Sequence, residues 1–118
     1  MSSDNEEVIR EKIERLVPSK LSHFPKLVSG EPYRFDRWSH DREGRWCLYY
    51  VVTGGQREYK KRLPIQELIK AAVFFGKKGD FQRTDFERFC PIANRDGPCG
   101  YAVIVRILES VYDRKIAT

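Results

Sequence analysis

The sequence predicts an α+β protein made of an N-terminal helix, a three-stranded antiparallel meander and a C-terminal three-helix unit with the outline of a helix-turn-helix. Two observations predict this class. Residues 33–63 are rich in aromatic and β-branched side chains separated by turn residues, which is typical of short strands. On either side, apolar residues recur at spacings of three and four, which indicates amphipathic helices. Because the chain has 118 residues, we expect a single domain over 1–118.

The first predicted helix spans residues 1–17. Ser3 and Glu6 have the spacing of a capping box, and Pro18 ends the helix. The apolar face of this helix carries Ile9, Ile13 and Leu16. Residues 18–32 contain three prolines and a glycine, so we expect an irregular connector there.

Three strands are predicted at residues 33–38, 45–53 and 56–63. Gly54 and Gly55 are predicted to form the second turn, because both central positions of a type I′ turn need a positive φ. The register that follows consists of the pairs Thr53–Gln56, Tyr50–Tyr59 and Trp46–Leu63.

This register divides the hairpin into two faces, because side chains alternate along a strand. The more apolar face is expected to cover the core, and it carries Trp46, Leu48, Tyr50, Val52, Tyr59 and Leu63. The opposite face carries Cys47, Tyr49, Val51, Glu58, Lys60 and Arg62.

Residues 64–118 are predicted to form three helices. The first begins at Pro64, runs to about Phe75 and ends at Gly76. Thr84 is expected to cap a short second helix with Glu87 at the capping-box position, and Pro91 to end it.

The last predicted helix begins near Pro98 and runs through Tyr112. Its apolar residues follow a helical period, which favours a helix over a strand for Val103–Val105. The long–short–long order is what gives these three helices their helix-turn-helix outline.

The charge of the chain favours an acidic partner. The net charge is +5 and the pI about 9.2, and residues 32–62 hold most of the excess, so nucleic acid is the first partner to consider. Three cysteines, an acidic N-terminus without signal-peptide character and the lack of a long apolar run predict a cytoplasmic protein that does not enter a membrane.

The motifs argue against an enzyme. Glu58 and Lys60 form an acid-x-lysine pair like those of metal-dependent nucleases, but such a site needs a second carboxylate on the neighbouring strand, and residues 45–53 contain none. Neither His23 nor His40 belongs to a nucleophile motif. We therefore expect a non-enzymatic protein without a cofactor.

Cys90 is the one candidate ligand for a metal or haem. The Cys90-Pro91 pair resembles the short signature of haem-responsive proteins, which leaves haem or metal binding as a second alternative function. The spacing of Cys90 and Cys99 does not match a zinc knuckle. The competing interpretation is that Cys90 is a small buried apolar residue at a helix end.

The predicted function is non-enzymatic nucleic-acid binding, and the predicted surface is the outer face of the sheet. If Tyr33 points inward, then cationic and aromatic side chains meet on the other side and suit phosphate contact and base stacking. The residues expected on this surface are Arg34, Trp38, Tyr49, Lys60 and Arg62.

A second predicted surface is the start of the last helix, where a helix-turn-helix would present its reading residues. The expected contacts there are Asn94, Arg95, Tyr101 and Arg106, with Lys77 and Lys78 near the nucleic-acid backbone. The first alternative function is a protein-interaction or accessory domain that uses the N-terminal or the last helix and would form a homo-oligomer.

Overall fold

The computed structural model describes residues 2–28, 30–54 and 56–116, with no description of the side chains of residues 2–4. The chain forms a four-stranded antiparallel sheet in the order β1-β2-β3-β4. The elements along the chain are α1 (Ser2–Leu16), β1 (His23–Phe24), β2 (Tyr33–His40), β3 (Trp46–Gly54), β4 (Arg57–Pro64), α2 (Ile65–Lys78), α3 (Arg83–Phe89), α4 (Pro91–Arg95) and α5 (Cys99–Tyr112).

The α+β class and the N-terminal helix are confirmed, and two details of the prediction are wrong. The sheet has a fourth strand, because β1 pairs with β2 inside the predicted connector, with Phe24 opposite Tyr33. The C-terminal part has four helices, because α4 lies between α3 and α5. Both elements are short, and so neither has a periodic pattern long enough to recognise.

The N-terminal helix packs on the core through Ile13 and ends before the buried Val17. Its apolar face is as predicted. The predicted cap at Ser3 rests on a side chain that lies outside the described residues.

The hairpin of β3 and β4 has a different register from the predicted one. Thr53 lies opposite Glu58 and Leu48 opposite Leu63, which shifts the pairing by two residues. Gly54, which was predicted to lie in the turn, pairs with Arg57, so the turn falls one residue later than predicted. Gly55 lies outside the described residues. Because side chains alternate with a period of two, the shift leaves every residue on its predicted face.

Side chains on both faces of the hairpin are buried, whereas only the more apolar face was predicted to cover the core. Leu48, Tyr50 and Leu63 on the inner face are fully buried, but Cys47 and Val51 on the outer face are buried as well. Val51 lies between Arg34 on β2 and Lys60 on β4. Long cationic side chains cover apolar neighbours with their methylene groups, which keeps these outer residues from water.

Two predicted helix boundaries are also corrected. Gly79, not Gly76, ends α2: it adopts φ 83°, and its N–H donates to the carbonyl of Phe75 at 2.8 Å. The capping box of α3 is formed by Gln82 and Asp85 instead of Thr84 and Glu87. In both cases the sequence contains more than one residue of the type that ends or caps a helix. The packing of the helix determines which of them takes that position.

Helix α5 is the central helix of the core. Eight of its residues are buried: Gly100, Tyr101, Ala102, Val103, Ile104, Val105, Ile107 and Leu108. They join side chains of α1, α2, α3 and the inner sheet face in one hydrophobic cluster. None of the helices in the described ranges is long and apolar enough to span a membrane.

Candidate nucleic-acid interface

The outer face of the sheet collects the cationic side chains that the sequence predicted for it. Arg34 lies opposite Val51, and Val51 lies opposite Lys60, so these three residues form one row across β2, β3 and β4. In the next row Tyr49 lies between Arg37 and Arg62. Four of the five predicted residues, Arg34, Tyr49, Lys60 and Arg62, therefore share this face.

Trp38 is the predicted residue that lies on the wrong side. The pairing of β2 with β3 is irregular between Phe35 and Arg37, so the strand contains one extra residue, Asp36. A bulge reverses the alternation beyond it. As a result Trp38 packs on the core side, where its Nε1–H donates to the carbonyl of Val17 at 3.0 Å, and Arg37 takes the outward position.

Tyr49 is covered by a cation. The guanidinium carbon of Arg37 lies 5.3 Å from the centre of the Tyr49 ring, and Arg62 lies opposite it on β4. A guanidinium over an aromatic ring is held by the ring quadrupole. This stack occupies the surface that a nucleic-acid base would need for stacking.

Carboxylates neutralise the cations of the first row. Arg34 donates two hydrogen bonds to Glu58, both at 3.2 Å. Asp36 accepts a hydrogen bond from Arg37 at 2.9 Å and lies 3.5 Å from the ammonium of Lys60.

Asp41 organises the second group of cations at the β2–β3 turn. Its Oδ2 accepts from Arg45 at 2.8 Å and from Arg62 at 2.9 Å, and its Oδ1 accepts from the N–H groups of Glu43 and Arg45. Burial alone would raise the pKa of this carboxyl, but the hydrogen bonds and charges of Arg45, with the N–H of Glu43, lower the pKa from 3.8 to about 2. Asp41 is thus ionised and forms a buried ion-pair network.

The outer face is therefore nearly balanced in charge. Five of its cations, Arg34, Arg37, Arg45, Lys60 and Arg62, each have at least one carboxylate within 4.0 Å. Arg42, an exposed cation beside Tyr49 and Arg62 at the β2–β3 turn, has no ion pair with the described residues. The carboxylates are Asp36, Asp41, Glu43, Glu58 and Asp96. A phosphate would have to compete with these carboxylates for each of the five paired cations.

A second surface has the unbalanced charge that the sheet lacks. Lys70, Phe74 and Lys78 follow one another at intervals of four along α2 and so lie on one side of that helix. The Phe74 ring packs on Phe89 of α3 with ring centres 4.8 Å apart, and the guanidinium of Arg88 lies 4.9 Å from the centre of Phe89. We call these five residues the α2–α3 stripe.

The cations of the stripe have no acidic partner in the part of the chain that the structure describes. Lys70, Lys78 and Arg88 are exposed, and no carboxylate oxygen of residues 5–28, 30–54 and 56–116 lies within 4.0 Å of their nitrogen atoms. Phe74 and Phe89 are half-buried between them. The stripe combines available cations with partly exposed rings.

Sequence reasoning named only Lys78 from this stripe. The spacing of four between Lys70, Phe74 and Lys78 was visible and predicts a shared face, whereas the contact of Phe74 with Phe89 joins two helices and has no signal in the sequence. Lys77 lies on another side of α2, beside Val73 and Tyr112.

The predicted surface at the last helix does not exist in the expected form. Tyr101 is buried, and its hydroxyl donates to the carbonyl of Phe81 at 2.8 Å. Arg106 donates to the carbonyls of Pro25 and Lys26 and pairs with Glu109. A helix buried almost all round cannot enter a groove, so the helix-turn-helix interpretation of α5 is wrong.

Two of the remaining predicted residues stay accessible. Asn94 and Arg95 are exposed, but they belong to the short helix α4 and not to α5. They lie apart from any long helix that would present them to a groove.

Cys90 is a buried apolar residue. It is fully buried, its thiol donates to the carbonyl of Glu67 at 3.6 Å, and burial followed by the charge of Glu67 raises the pKa of the thiol. The same Glu67 side chain accepts from the N–H groups of Ile92 and Ala93 at 2.9 and 3.0 Å and so caps α4. This contact holds the turn after Cys90, whose thiol is buried in this structure.

The nuclease interpretation has no support in the described part of the chain. Glu58 is held by Arg34, and residues 5–28, 30–54 and 56–116 contain no group of three His, Cys, Asp or Glu side chains that could hold a metal ion. Comparisons with protein-family models, with curated proteins and with solved structures find no match to this chain. The surfaces themselves are the basis for a functional proposal.

Proposed function

We propose that the protein is a non-enzymatic nucleic-acid-binding module whose main phosphate contacts are made by the α2–α3 stripe. The observation that carries the proposal is the grouping of Lys70, Lys78 and Arg88 around two partly exposed phenylalanine rings, without a carboxylate within 4.0 Å in the described ranges. Cations without carboxylate partners in the protein displace the counterions that are condensed on the phosphates of a nucleic acid. The release of these counterions is the main source of sequence-independent affinity.

The overall charge supports the same proposal. The chain carries a net charge of +5, and the cations of the outer sheet face are largely cancelled by their carboxylates. The excess charge is therefore carried by other surfaces, and the stripe is one of them, with the Arg88 guanidinium 4.9 Å from the centre of the Phe89 ring. The rings offer stacking to unpaired bases.

The sheet-face residues Arg34, Tyr49, Lys60 and Arg62 remain predicted contacts of secondary weight. The only ion pair of Lys60 within the described residues is 3.5 Å long, to Asp36, whereas the four paired arginines of the face each have a carboxylate at 3.2 Å or less, and the Lys60 side chain is more than half exposed. Exposed pairs of this kind contribute little to stability, so Lys60 is the sheet cation that a phosphate would recruit with least loss.

The proposal is tested by fluorescence anisotropy with a labelled DNA duplex and a labelled single-stranded RNA at two salt concentrations. The variants are Lys78→Ala and Arg88→Ala in the stripe and Lys60→Ala on the sheet. Lys12→Ala on α1 is the matched control, because it removes an exposed lysine that lies outside both surfaces.

Each stripe variant is expected to weaken binding equally for all sequences and to lower the salt slope by about one for each phosphate that it no longer neutralises. Lys12→Ala is expected to behave like the wild type. The proposal is wrong if the wild-type protein has no measurable affinity at low salt, or if Lys12→Ala weakens binding as much as the stripe variants do.

A further inference from the structure

Strand β4 forms one edge of the sheet, and the hydrogen-bonding groups of that edge are partly open. The N–H of Arg62 donates to Asp96 Oδ2 at 3.2 Å and so points away from β3. Alternate residues of an antiparallel strand point their backbone groups to the same side. The N–H and carbonyl groups of Glu58 and Lys60 therefore also point outward, as does the nitrogen of Pro64.

The two halves of this edge differ in their cover. Asp96 covers the edge at Arg62, and Lys61 donates to the carbonyl of Asp96. Residues 57–60 are exposed, including the ring of Tyr59, which is 47% exposed. The open part of the edge is thus long enough to exchange hydrogen bonds through Glu58 and Lys60.

The charges along this edge select the kind of strand that fits. Arg57, Lys60 and Lys61 are cationic, and the single acid, Glu58, is bound to Arg34. Lysines on an edge strand oppose pairing with neutral or basic strands, and opposite charges in directly facing positions favour pairing.

A second copy of the chain fits this edge poorly. An antiparallel pairing of two β4 edges must match the outward residues with each other, as Glu58 with Glu58, Lys60 with Lys60 or Glu58 with Lys60. The first two registers oppose like charges, and the third places Arg57 opposite Lys61. Every register therefore includes a repulsive pair.

We propose that the open edge of β4, residues 57–61, binds an extended acidic segment of a partner protein by adding it to the sheet as a fifth strand. The backbone of Glu58 and Lys60 supplies the hydrogen bonds, Arg57 and Lys61 meet acidic side chains on the face that also carries Tyr59, and the apolar side chains of the segment lie on the opposite face beside Lys60. This mode of recognition gains affinity from the backbone and specificity from alternate side chains.

The test compares two variants at one position. Lys60→Pro and Lys60→Ala both remove the charge, but only the proline removes the outward N–H. That N–H takes no part in the pairing with β3, and Pro64 shows that the strand accepts proline on this side. The probe is a short fluorescein-labelled peptide in which Glu alternates with Val.

We expect wild-type protein to bind the peptide at low salt and Lys60→Pro to bind it about tenfold more weakly than Lys60→Ala does, which is the effect of losing a backbone hydrogen bond. Lys78→Ala is expected to bind the peptide like the wild type, which separates this surface from the α2–α3 stripe. A peptide in which Lys alternates with Val should not bind.

If Lys60→Pro does not fold, a second measurement still tests the proposal. The wild-type protein is then titrated with a Glu/Val peptide that is N-methylated at alternate residues, which removes the donors a fifth strand needs. The proposal is overturned if the wild type does not bind the unmodified peptide, if Lys60→Pro binds as Lys60→Ala does, or if two peptides, each N-methylated at one of the two sets of alternate residues, both bind as well as the unmodified peptide does.

Discussion

At the scale of single residues, the buried tyrosines Tyr50 and Tyr101 differ in what their hydroxyl groups contact. The Tyr101 hydroxyl donates to the carbonyl of Phe81 at 2.8 Å, whereas no described residue offers a partner to the buried hydroxyl of Tyr50. A buried polar group without a partner lowers stability, and a paired one adds to it.

We therefore expect Tyr50→Phe and Tyr101→Phe to have opposite effects. Tyr50→Phe should raise the free energy of unfolding by about 1 kcal/mol, and Tyr101→Phe should lower it by about 1 kcal/mol. Urea unfolding of both variants measures the difference, each variant serving as the control for the other. Equal losses of stability would mean that the Tyr50 hydroxyl is paired in solution.

Asp41 is the residue whose charge the sheet depends on most. Asp41→Asn removes the charge that holds Arg45 and Arg62, so we expect the free energy of unfolding at pH 7 to fall by about 2 kcal/mol. Urea unfolding measures this loss, and Lys12→Ala, which removes an exposed charge outside the network, should change stability by less than about 0.5 kcal/mol.

The pH dependence of stability provides a second test of the same network. The pKa of the Asp41 carboxyl is about 2 in the folded protein and 3.8 in a free side chain. Because the folded pKa is the lower one, the stabilisation is fully present only above about pH 5 and is lost as the pH falls through 3.8 towards 2. Asp41→Asn should lose stability less steeply than the wild type over this interval; parallel curves would exclude Asp41 as the group responsible.

At the scale of elements, the two glycines near the end of helix α2, Gly76 and Gly79, have different roles. Gly79 has φ 83° and ends the helix, whereas Gly76 lies inside it. An alanine at Gly79 would adopt a left-handed conformation, so Gly79→Ala should lower the free energy of unfolding by about 1 kcal/mol. Thermal unfolding measures this loss, and an unchanged midpoint would contradict the cap.

Gly76 does not provide a neutral control for this change. A Cβ at Gly76 would lie 2.8 Å from the hydroxyl oxygen of Tyr112, which itself donates to the carbonyl of Ala72. Gly76→Ala should therefore also destabilise the protein, but only when Tyr112 is present. Combining Gly76→Ala with Tyr112→Ala should remove the clash, whereas Gly79→Ala should cost the same in both backgrounds.

The helices and the long strands could be predicted from the sequence because each has a repeating apolar pattern. The bulge at Asp36 was not predicted, although the consecutive polar residues Asp36 and Arg37 interrupt the alternation of apolar and polar residues between Tyr33 and Trp38. One extra residue was enough to move Trp38 from the outer face to the core and to bring Arg37 outward. The error in the predicted site therefore comes from the missed bulge and not from the positions of strands β2, β3 and β4.

At the scale of the whole molecule, net charge indicated an acidic partner but not the surface that meets it. The cations are most concentrated in sequence over the strands, yet Glu58, Asp36 and Asp41 neutralise that concentration in the folded sheet. Distances between residues far apart in sequence decide which cations remain free. The α2–α3 stripe became visible only when Phe74 and Phe89 were found in contact.

The most direct test of the central claim is the salt dependence of nucleic-acid binding by the wild type and by the double variant Lys78→Ala with Arg88→Ala. We predict that the wild type binds duplex DNA or single-stranded RNA at low salt, and that the double variant lowers the slope of log affinity against log salt by about two. A slope that is the same in both proteins, or a wild type that binds neither nucleic acid at low salt, would contradict the claim.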